Sequence, residues 1–205
     1  MTGRIRIDLF TTLDGVAQAP GGRNEDPSDG FRFGGWQAPL PDEVIGKSVG
    51  EGIAAMDALV LGRRTYDIFA DYWPTHTGPA AHIAAKFNSI PKYVASRGNP
   101  TLEWEGTTLL GPDLHAEFAG LRERHRDIHV IGSVDFVHTL LAEQLYDELL
   151  MWVHPIVLGE GRKVFPDGAK PANMRLLAPA VSTPAGGVIL RYGPGEKGEP
   201  ATGDM

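Results

Sequence analysis

Cysteine is absent from this 205-residue chain. Its absence excludes disulfide bonds, thiolate zinc sites and a cysteine nucleophile. The sequence also lacks any run of about 18 consecutive apolar residues, the length that crosses a bilayer. Its first ten residues contain no apolar stretch of the kind that signal peptides carry. We therefore expect a cytoplasmic protein with no membrane partner.

Basic residues are in the minority. Lys and Arg together number 19 against 26 Asp and Glu, which gives a formal net charge of −7. This balance argues against a nucleic-acid partner, because surfaces that bind nucleic acid are basic. The seven histidines show neither an HExxH pattern nor another metal-ligand spacing, so no metal site is predicted. No Walker motif is present, and none of the clusters at 62–65, 96–97 and 132–133 is a GxGxxG fingerprint.

The most informative stretch that is present covers residues 58–69 (ALVLGRRTYDIF). Its four consecutive apolar residues, 58–61, predict a strand that is buried on both faces of a sheet. Gly62 allows a tight turn, and Thr65 is a candidate cap for a helix that follows. Such a strand-to-helix turn presents backbone N–H groups and two guanidiniums to an anion. An ordinary turn with surface arginines is the alternative.

Apolar runs and alternating patterns predict further elements along the chain. Strands are predicted at 4–10, 58–61, 91–96, 107–110, 128–131, 149–158, 174–177 and 188–192, the last two as an antiparallel pair. Helices are predicted at 42–56, 65–69, 80–89, 113–125 and 134–145. This alternation indicates the α/β class. We predict one domain over residues 1–193 and a disordered, Gly/Pro-rich tail over 194–205.

Three of the predicted strands end in small or basic clusters, at 62–65, 96–97 and 132–133. In an open α/β sheet, ligands gather at the carboxyl ends of the strands. A dinucleotide with an additional 2′-phosphate needs several separate anionic contacts, and three such strand ends would supply them. Each cluster by itself is also compatible with simple turn chemistry.

The same residues carry a resemblance to a known family. The chain resembles the dihydrofolate reductase-like superfamily, and within it the branch of the riboflavin-biosynthesis reductase (RibD C-terminal) domain, in a stand-alone form. The matching stretches are 12–15 (TLDG), 57–66 (DALVLGRRTY), 72–74 (YWP), 94–97 (VASR), 129–132 (HVIG), 145–149 (LYDEL) and 155–161 (PIVLGEG). They follow the family order and span about residues 4–193.

The resemblance implies a three-layer fold, in which helices flank a mixed, mostly parallel sheet of about eight strands with antiparallel C-terminal strands. It also implies a reductase that uses NADPH. Ser96 and Arg97 would contact the adenosine 2′-phosphate and so confer a preference for NADPH over NADH. The other residues that the resemblance places at the cofactor are Phe10 and Ala17 near the nicotinamide, and Gly62, Arg63, Arg64, Thr65, Gly132, Ser133 and Val134 near the phosphates.

One position departs from the family pattern. The family usually has two or three glycines where this chain reads Gly132-Ser133-Val134. The serine can still donate its N–H and its hydroxyl, but its side chain leaves less room for a pyrophosphate. The departure bears on the affinity for the cofactor and not on the fold.

On the substrate side, residues 36–42 (WQAPLPD) resemble the tryptophan-to-acid segment of dihydrofolate reductases, with one residue more. Asp42 would then be an acid that faces the substrate, with Trp36 beside the bound ring. Alternatively, Asp42 is simply the cap of the predicted 42–56 helix. His154 either faces the pocket or bonds to the backbone. Residues 11–41 are rich in glycine and carry three aromatic side chains, which favours a lid.

From these observations we expect an NADPH-dependent reductase. Its small-molecule substrate would be a pterin- or pyrimidine-like heterocycle or a carbonyl compound. A non-catalytic nucleotide-binding or interaction module with the same fold is the first alternative, and a true dihydrofolate reductase is the second. The resemblance also allows a homodimer.

Overall fold

The computed structural model describes residues 2–198, 200, 202 and 203. Within these residues the chain forms one sheet of nine strands. In chain order the strands are β1 (Arg4–Thr12), β2 (Ala58–Gly62), β3 (Lys92–Ala95), β4 (Thr107–Leu109), β5 (Asp127–Val130), β6 (Glu148–His154), β7 (Met174–Leu176), β8 (Val181–Ser182) and β9 (Val188–Pro194).

The order of strands across the sheet is β4-β3-β2-β5-β1-β6-β9-β7, and β8 pairs with β9. All neighbours from β4 to β6 run parallel, whereas β9 runs antiparallel to β6, β7 and β8. The predicted mixed, mostly parallel sheet with antiparallel C-terminal strands is therefore confirmed. The parallel part brings the carboxyl ends of six strands to one edge of the sheet.

Five α-helices lie within the described part of the chain: α1 (Glu43–Ala55), α2 (Arg63–Tyr72), α3 (Ala81–Ser89), α4 (Leu114–Arg124) and α5 (Val134–Ala142). The predicted cap of α2 at Thr65 is wrong, because Gly62 is the N-cap and Thr65 lies inside the first turn. The predicted 149–158 strand ends at His154, since Pro155 has no N–H to continue the ladder.

The strand β2 shows how the layers are built. All five of its residues are buried. Val60 packs into the core cluster that contains residues of α4 and α5, whereas Leu59 and Leu61 pack into the cluster with residues of α2 and α3. The continuous apolar run 58–61 thus packs against two helical layers, one on each face of the sheet.

Charged residues are buried in the middle of the sheet, beneath α1. Arg6 Nε donates to Asp8 Oδ1 at 2.6 Å, and His129 Nδ1 lies 2.7 Å from Asp8 Oδ2. Gly52 of α1 leaves the necessary room, because a Cβ there would lie 2.2 Å from Arg6 Nη2. The group pairs its charges internally, as buried ions require.

The last strand of the chain, β9, ends at Pro194. Gly195 N still donates to Asn173 O at 2.9 Å. The predicted disordered tail falls in part on residues 199, 201, 204 and 205, which lie outside the described residues. The domain boundary at 193 therefore stays a prediction. None of the helices described is long and apolar enough to cross a membrane.

Lys92 ties β3 to the end of α3. The side chain is fully buried, and burial lowers the pKa of its ammonium group. Its Nζ donates to the carbonyl oxygens of Phe87 at 3.0 Å, Asn88 at 3.4 Å and Ile90 at 2.9 Å. These bonds satisfy carbonyls that the helix leaves without a partner where it ends.

Lys92→Met keeps the apolar stem and removes all three donors. We expect the free energy of unfolding to fall by about 2–4 kcal/mol in urea titrations, because buried carbonyls lose their partners. Lys86→Met is the matched control, since Lys86 is only partly buried and donates one bond at the surface, to Ala54 O at 3.1 Å. The free energy of unfolding of that variant should fall by less than about 1 kcal/mol. Equal losses in the two variants would contradict a capping role for Lys92.

Candidate functional site

The turns that follow β2, β3 and β5 lie side by side. Gly62 in β2 is the partner of Ala95 in β3, and β2 pairs on its other side with β5. All three strands are parallel, so their carboxyl ends share one edge. The clusters 62–65, 96–97 and 132–133 are therefore brought together there.

The turns after β2 and β5 touch at their glycines. Gly62 N donates to Gly132 O at 2.8 Å. A Cβ on Gly62 would lie 2.1 Å from Ser133 Oγ and 2.8 Å from Ser133 N. A Cβ on Gly132 would lie 2.8 Å from Thr65 Oγ1, and the φ of Gly132 is +108°. Gly62 is therefore required for space, and Gly132 for both space and backbone conformation.

Two helices begin at this junction without a side-chain cap. Gly62 is the N-cap of α2 and Ser133 is the N-cap of α5, and neither makes a capping side-chain hydrogen bond. By contrast, Asp42 caps α1 and Asp113 caps α4. The first amides of a helix lack intrahelical partners, and the helix dipole adds partial positive charge. The junction therefore offers hydrogen-bond donors to an anion.

Ser96 and Arg97 lie next to this junction, directly after β3. Ser96 Oγ accepts a hydrogen bond from Gly98 N at 3.1 Å. Arg97 is exposed. A guanidinium and a hydroxyl thus stand on open surface beside the turn that begins α2, a position that suits a phosphate arriving from solvent.

The two arginines at the start of α2 already contact acceptors of the protein itself. Arg63 Nε donates to both oxygens of Asp67, at 2.6 and 2.7 Å, one turn along the same helix. Arg64 Nη1 donates to Ser28 Oγ at 3.0 Å and lies 3.5 Å from Asp26 Oδ2. A ligand phosphate would have to compete with these side chains.

The carboxyl ends of β1 and β6 carry a cluster of aromatic rings. The ring centroid of Phe10 lies 5.0 Å from that of Trp152 and 5.7 Å from that of His154. Trp36 packs edge-on against His154 at 5.5 Å, and its Nε1 donates to Gln18 O at 2.9 Å. Three residues identified in the sequence, Phe10, Trp36 and His154, thus meet in one place. Trp152 belongs to the same cluster and was missed.

His154 leaves one ring nitrogen without a partner. Nδ1 lies 3.0 Å from Trp152 O, and because a carbonyl oxygen only accepts, Nδ1 carries the proton of that bond. Nε2 is buried and has no hydrogen-bond partner among the residues that the structure describes. In the neutral ring Nε2 is therefore a buried acceptor whose hydrogen-bonding capacity no described residue uses.

Asp42 is occupied as the N-cap of α1. Its Oδ1 accepts from Val44 N and Ile45 N, each at 3.0 Å, and its Oδ2 accepts from the Thr183 hydroxyl. Burial would raise the pKa of Asp42, but these hydrogen bonds outweigh it, and with a contribution from nearby His154 they lower the pKa. The group is ionised at neutral pH, which favours capping over proton donation.

Asp14 joins the loop after β1 to the loop after β6. Thr12 Oγ1 donates to its Oδ1 at 2.5 Å, and Leu158 N and Gly159 N donate at 3.3 and 2.7 Å. Burial would raise the pKa of Asp14, but the hydrogen bonds prevail and lower it. Stretches 12–15 and 155–161 therefore hold the two loops together.

Arg162 is a member of the site that sequence reasoning missed. Its backbone O accepts from Ala17 N at 2.9 Å, and its Nε lies 3.7 Å from Asp135 Oδ1 in the first turn of α5. Val134, the first residue of α5, is buried in the main core, so only its backbone can face a ligand. The position of Arg162 directly after the glycine-rich 159–161 turn was the available signal.

Two cavities have no lining residue from the junction of the two turns. The larger, of about 720 Å³, is lined by the outer side of α2 and by residues 101 and 103–105, with four carboxylates that do not suit a phosphate. The smaller, of about 290 Å³, lies between residues 29–31 and 160–162. Over the described part of the chain, no group of three His, Asp or Glu side chains could hold a metal ion.

Comparison with known proteins gives a match over most of the chain. The family model described as the RibD C-terminal domain matches residues 4–184. The uncharacterized protein YyaP of Bacillus subtilis (strain 168) is 25% identical over 181 residues, which cover 85% of this chain and 86% of that protein.

Solved structures share the fold at lower identity. A Shewanella sp. PV-4 protein assigned to riboflavin biosynthesis has a TM-score of 0.71 and 18% identity, over 96% of this chain and all of the other. Dihydrofolate reductase from Enterococcus faecalis, solved with NADP(H), has a TM-score of 0.54 and 16% identity, over 96% of this chain and 99% of the other. At these identities the likeness concerns the fold, and the expected dihydrofolate reductase-like fold is confirmed.

Gly62→Ala tests the contact between the two turns. The added methyl would overlap Ser133 Oγ, so we expect the free energy of unfolding to fall by about 1–3 kcal/mol in urea titrations. Gly46→Ala on α1 is the control, because nothing lies within 4 Å of the added methyl. It should stabilise the protein by about 0.4–1 kcal/mol. Adding Ser133→Gly to Gly62→Ala should recover part of the loss, and no recovery would contradict the overlap.

Asp42→Ala removes the cap of α1 and should cost about 1 kcal/mol of unfolding free energy at pH 7. Because the folded pKa of Asp42 is lowered, this contribution is complete above the unfolded pKa of about 4. It is lost as the pH falls through the folded value. Asp42→Asn keeps a capping oxygen without a charge. The difference in unfolding free energy between Asp42→Asn and Asp42→Ala should therefore not vary with pH. A cost of Asp42→Ala that stays constant from pH 7 to pH 3 would refute the assignment.

Proposed function

The chain belongs to the RibD C-terminal domain family, and on that premise we propose that it is an NADPH-dependent reductase of a small heterocyclic or carbonyl substrate. The observation that carries the proposal is the junction of the β2 and β5 turns. There Gly62 N bonds to Gly132 O at 2.8 Å, and two helices begin without a side-chain cap. Backbone amides at helix N-termini are a common binding site for phosphate.

The residues at this edge fit the phosphates of a dinucleotide. A Cβ at Gly62 would collide with Ser133 and one at Gly132 with Thr65, so the two glycines allow the N-termini of α2 and α5 to lie side by side. Arg97, exposed after β3, would pair with the 2′-phosphate that distinguishes NADPH from NADH. When bound, NADPH supplies the hydride. The protein's own part is to bind, orient and exclude water.

The aromatic cluster supports a planar substrate. The rings of Phe10 and Trp36 both make edge-on contacts with His154, and Trp36 is only 4% exposed. The unpartnered Nε2 of His154 would accept a hydrogen bond from a ring N–H, a group that pterins and pyrimidines carry. Aromatic walls with one convergent polar atom are typical of small-molecule sites.

A non-catalytic nucleotide-binding module is the second candidate, and one observation favours it. Both oxygens of Asp42 are already engaged, so this carboxylate does not offer a free oxygen to a substrate. Oxidation of NADPH with a panel of pterins, flavin precursors and carbonyl compounds separates the candidates, because any turnover excludes the non-catalytic module. Tight binding of methotrexate would favour a true dihydrofolate reductase.

Fluorescence titrations of the purified protein with NADPH and NADH test the proposal. We expect NADPH to bind more tightly than NADH, since only NADPH carries the 2′-phosphate. Failure to bind NADPH at concentrations below about 1 mM, equivalent to less than about 4 kcal/mol of binding free energy, would contradict the proposal.

Arg97→Ala should abolish the preference for NADPH. Loss of one charge-assisted contact to phosphate should weaken NADPH binding about ten- to a hundredfold and leave NADH binding unchanged. Arg175→Ala is the matched control, because Arg175 is an exposed arginine on β7 at the opposite edge of the sheet. An unchanged ratio of the two affinities in Arg97→Ala would refute the assignment.

A further inference from the structure

We propose that Arg64 and Arg162 form one site for the pyrophosphate of the bound dinucleotide, and that the chain's own residues 26–29 occupy this site until the dinucleotide displaces them. The inference rests on the proposed function, which supplies the dinucleotide. It adds Arg162 to the binding residues, and it gives the 11–41 lid a defined contact that a ligand must break.

Both guanidiniums converge on the same two side chains. Arg162 donates through Nη1 to Asp26 Oδ2 and through Nη2 to Ser28 Oγ, each at 2.9 Å. Arg64 Nη1 donates to the same Ser28 Oγ at 3.0 Å and lies 3.5 Å from the same oxygen of Asp26. Asp29 adds a further ion pair with Arg162. Carboxylate and hydroxyl oxygens thus take the positions at which two arginines would bind phosphate oxygens.

The site lies where the two uncapped helices begin. Arg64 is the second residue of α2, and Arg162 approaches Asp135 in the first turn of α5. An anion that contacts both arginines would therefore lie close to both helix N-termini. The helix dipoles and the free amides favour negative charge at that point, in addition to the two guanidiniums.

The local charge balance makes the two occupants mutually exclusive. Two guanidiniums already face three carboxylates, those of Asp26, Asp29 and Asp135. A pyrophosphate would bring at least two more negative charges, and like charges repel strongly where water is scarce. The repulsion is strongest at the centre of the group, where the side chains of Arg162 and Asp26 are only 17% and 13% exposed, whereas Asp29 and Asp135 lie at its solvent-exposed rim. Pyrophosphate can therefore bind only if the 26–29 segment leaves.

The backbone of the 26–29 segment is held by one buried side chain, that of Gln18. Gln18 Nε2 donates to Asp26 O at 3.1 Å and to Ser28 O at 3.2 Å, while Gln18 Oε1 accepts from Arg162 N at 3.0 Å. Asp29 has a φ of +57°, a left-handed backbone that is uncommon outside glycine. Departure of the segment would relax this conformation, which makes the contact easier to exchange.

Limited trypsin digestion of the purified full chain, with inorganic pyrophosphate as the probe, tests the displacement. Cleavage after Arg23 and Arg32, which flank the segment, reports its release from the site. We expect pyrophosphate to accelerate this cleavage several-fold relative to sodium chloride at the same ionic strength. Equal cleavage rates in the two salts would overturn the proposal.

Asp26→Asn combined with Asp29→Asn removes the two competing charges. We expect pyrophosphate and NADPH to bind about five- to tenfold more tightly to this variant. Glu25→Gln is the matched control in the same loop. The Glu25 carboxylate accepts from Gly21 N at 2.7 Å and Gly22 N at 2.9 Å instead of from an arginine. Glu25→Gln should bind pyrophosphate and NADPH with the same affinities as the unmodified protein.

Arg162→Gln in the background of the two Asn substitutions should weaken pyrophosphate binding by at least about fivefold, because the site loses one guanidinium. Unchanged or weaker pyrophosphate binding by a correctly folded Asp26→Asn, Asp29→Asn variant would overturn the proposal. If that variant does not fold, Asp29→Asn alone must still tighten binding. Its side chain is 76% exposed, so its replacement leaves the core untouched.

The outcomes separate this inference from the proposed function. If pyrophosphate releases the segment but NADPH does not bind, the anion site stands and the reductase proposal fails. If NADPH binds with equal affinity to the Asn variants and to the unmodified protein, the reductase proposal stands and the self-occupied site is refuted.

Discussion

The site depends on the close approach of two backbone turns at Gly62 and Gly132. β2 and β5 are parallel neighbours, so the chain turns twice at the same edge of the sheet. The hydrogen bond from Gly62 N to Gly132 O forms only because neither residue has a side chain in the gap. This approach fixes where α2 and α5 begin and leaves both without a side-chain cap. The contacts proposed between the pyrophosphate and the N-termini of these two helices depend on that junction.

The loops around the junction are held by two different kinds of contact. Asp14 ties the loops after β1 and β6 through hydrogen bonds from the Leu158 and Gly159 amides, which a dissolved anion does not replace. The side chains of the 26–29 segment are held by ion pairs with Arg64 and Arg162, which an anion can replace, so that only the backbone hydrogen bonds to Gln18 must break in addition. The base of the 11–41 loop is thus fixed while its tip is exchangeable, as a lid requires.

Much of the fold could be predicted from local pattern, because burial on both faces leaves a clear signal. The run 58–61 became β2, and Asp42 after Pro41 became the cap of α1. The cap of α2 was misassigned to Thr65, because the preference of threonine for N-cap positions does not specify how tightly the chain turns after a strand. The contact between Arg162 and Asp26 joins residues 136 positions apart, and no local pattern indicates such a pair.

The most direct test of the account is a crystal structure of the protein with NADPH. We expect the pyrophosphate to lie between the N-termini of α2 and α5, and the 2′-phosphate to lie against Arg97. A dinucleotide bound elsewhere, for example along the acidic cavity beside α2, would contradict the central claim.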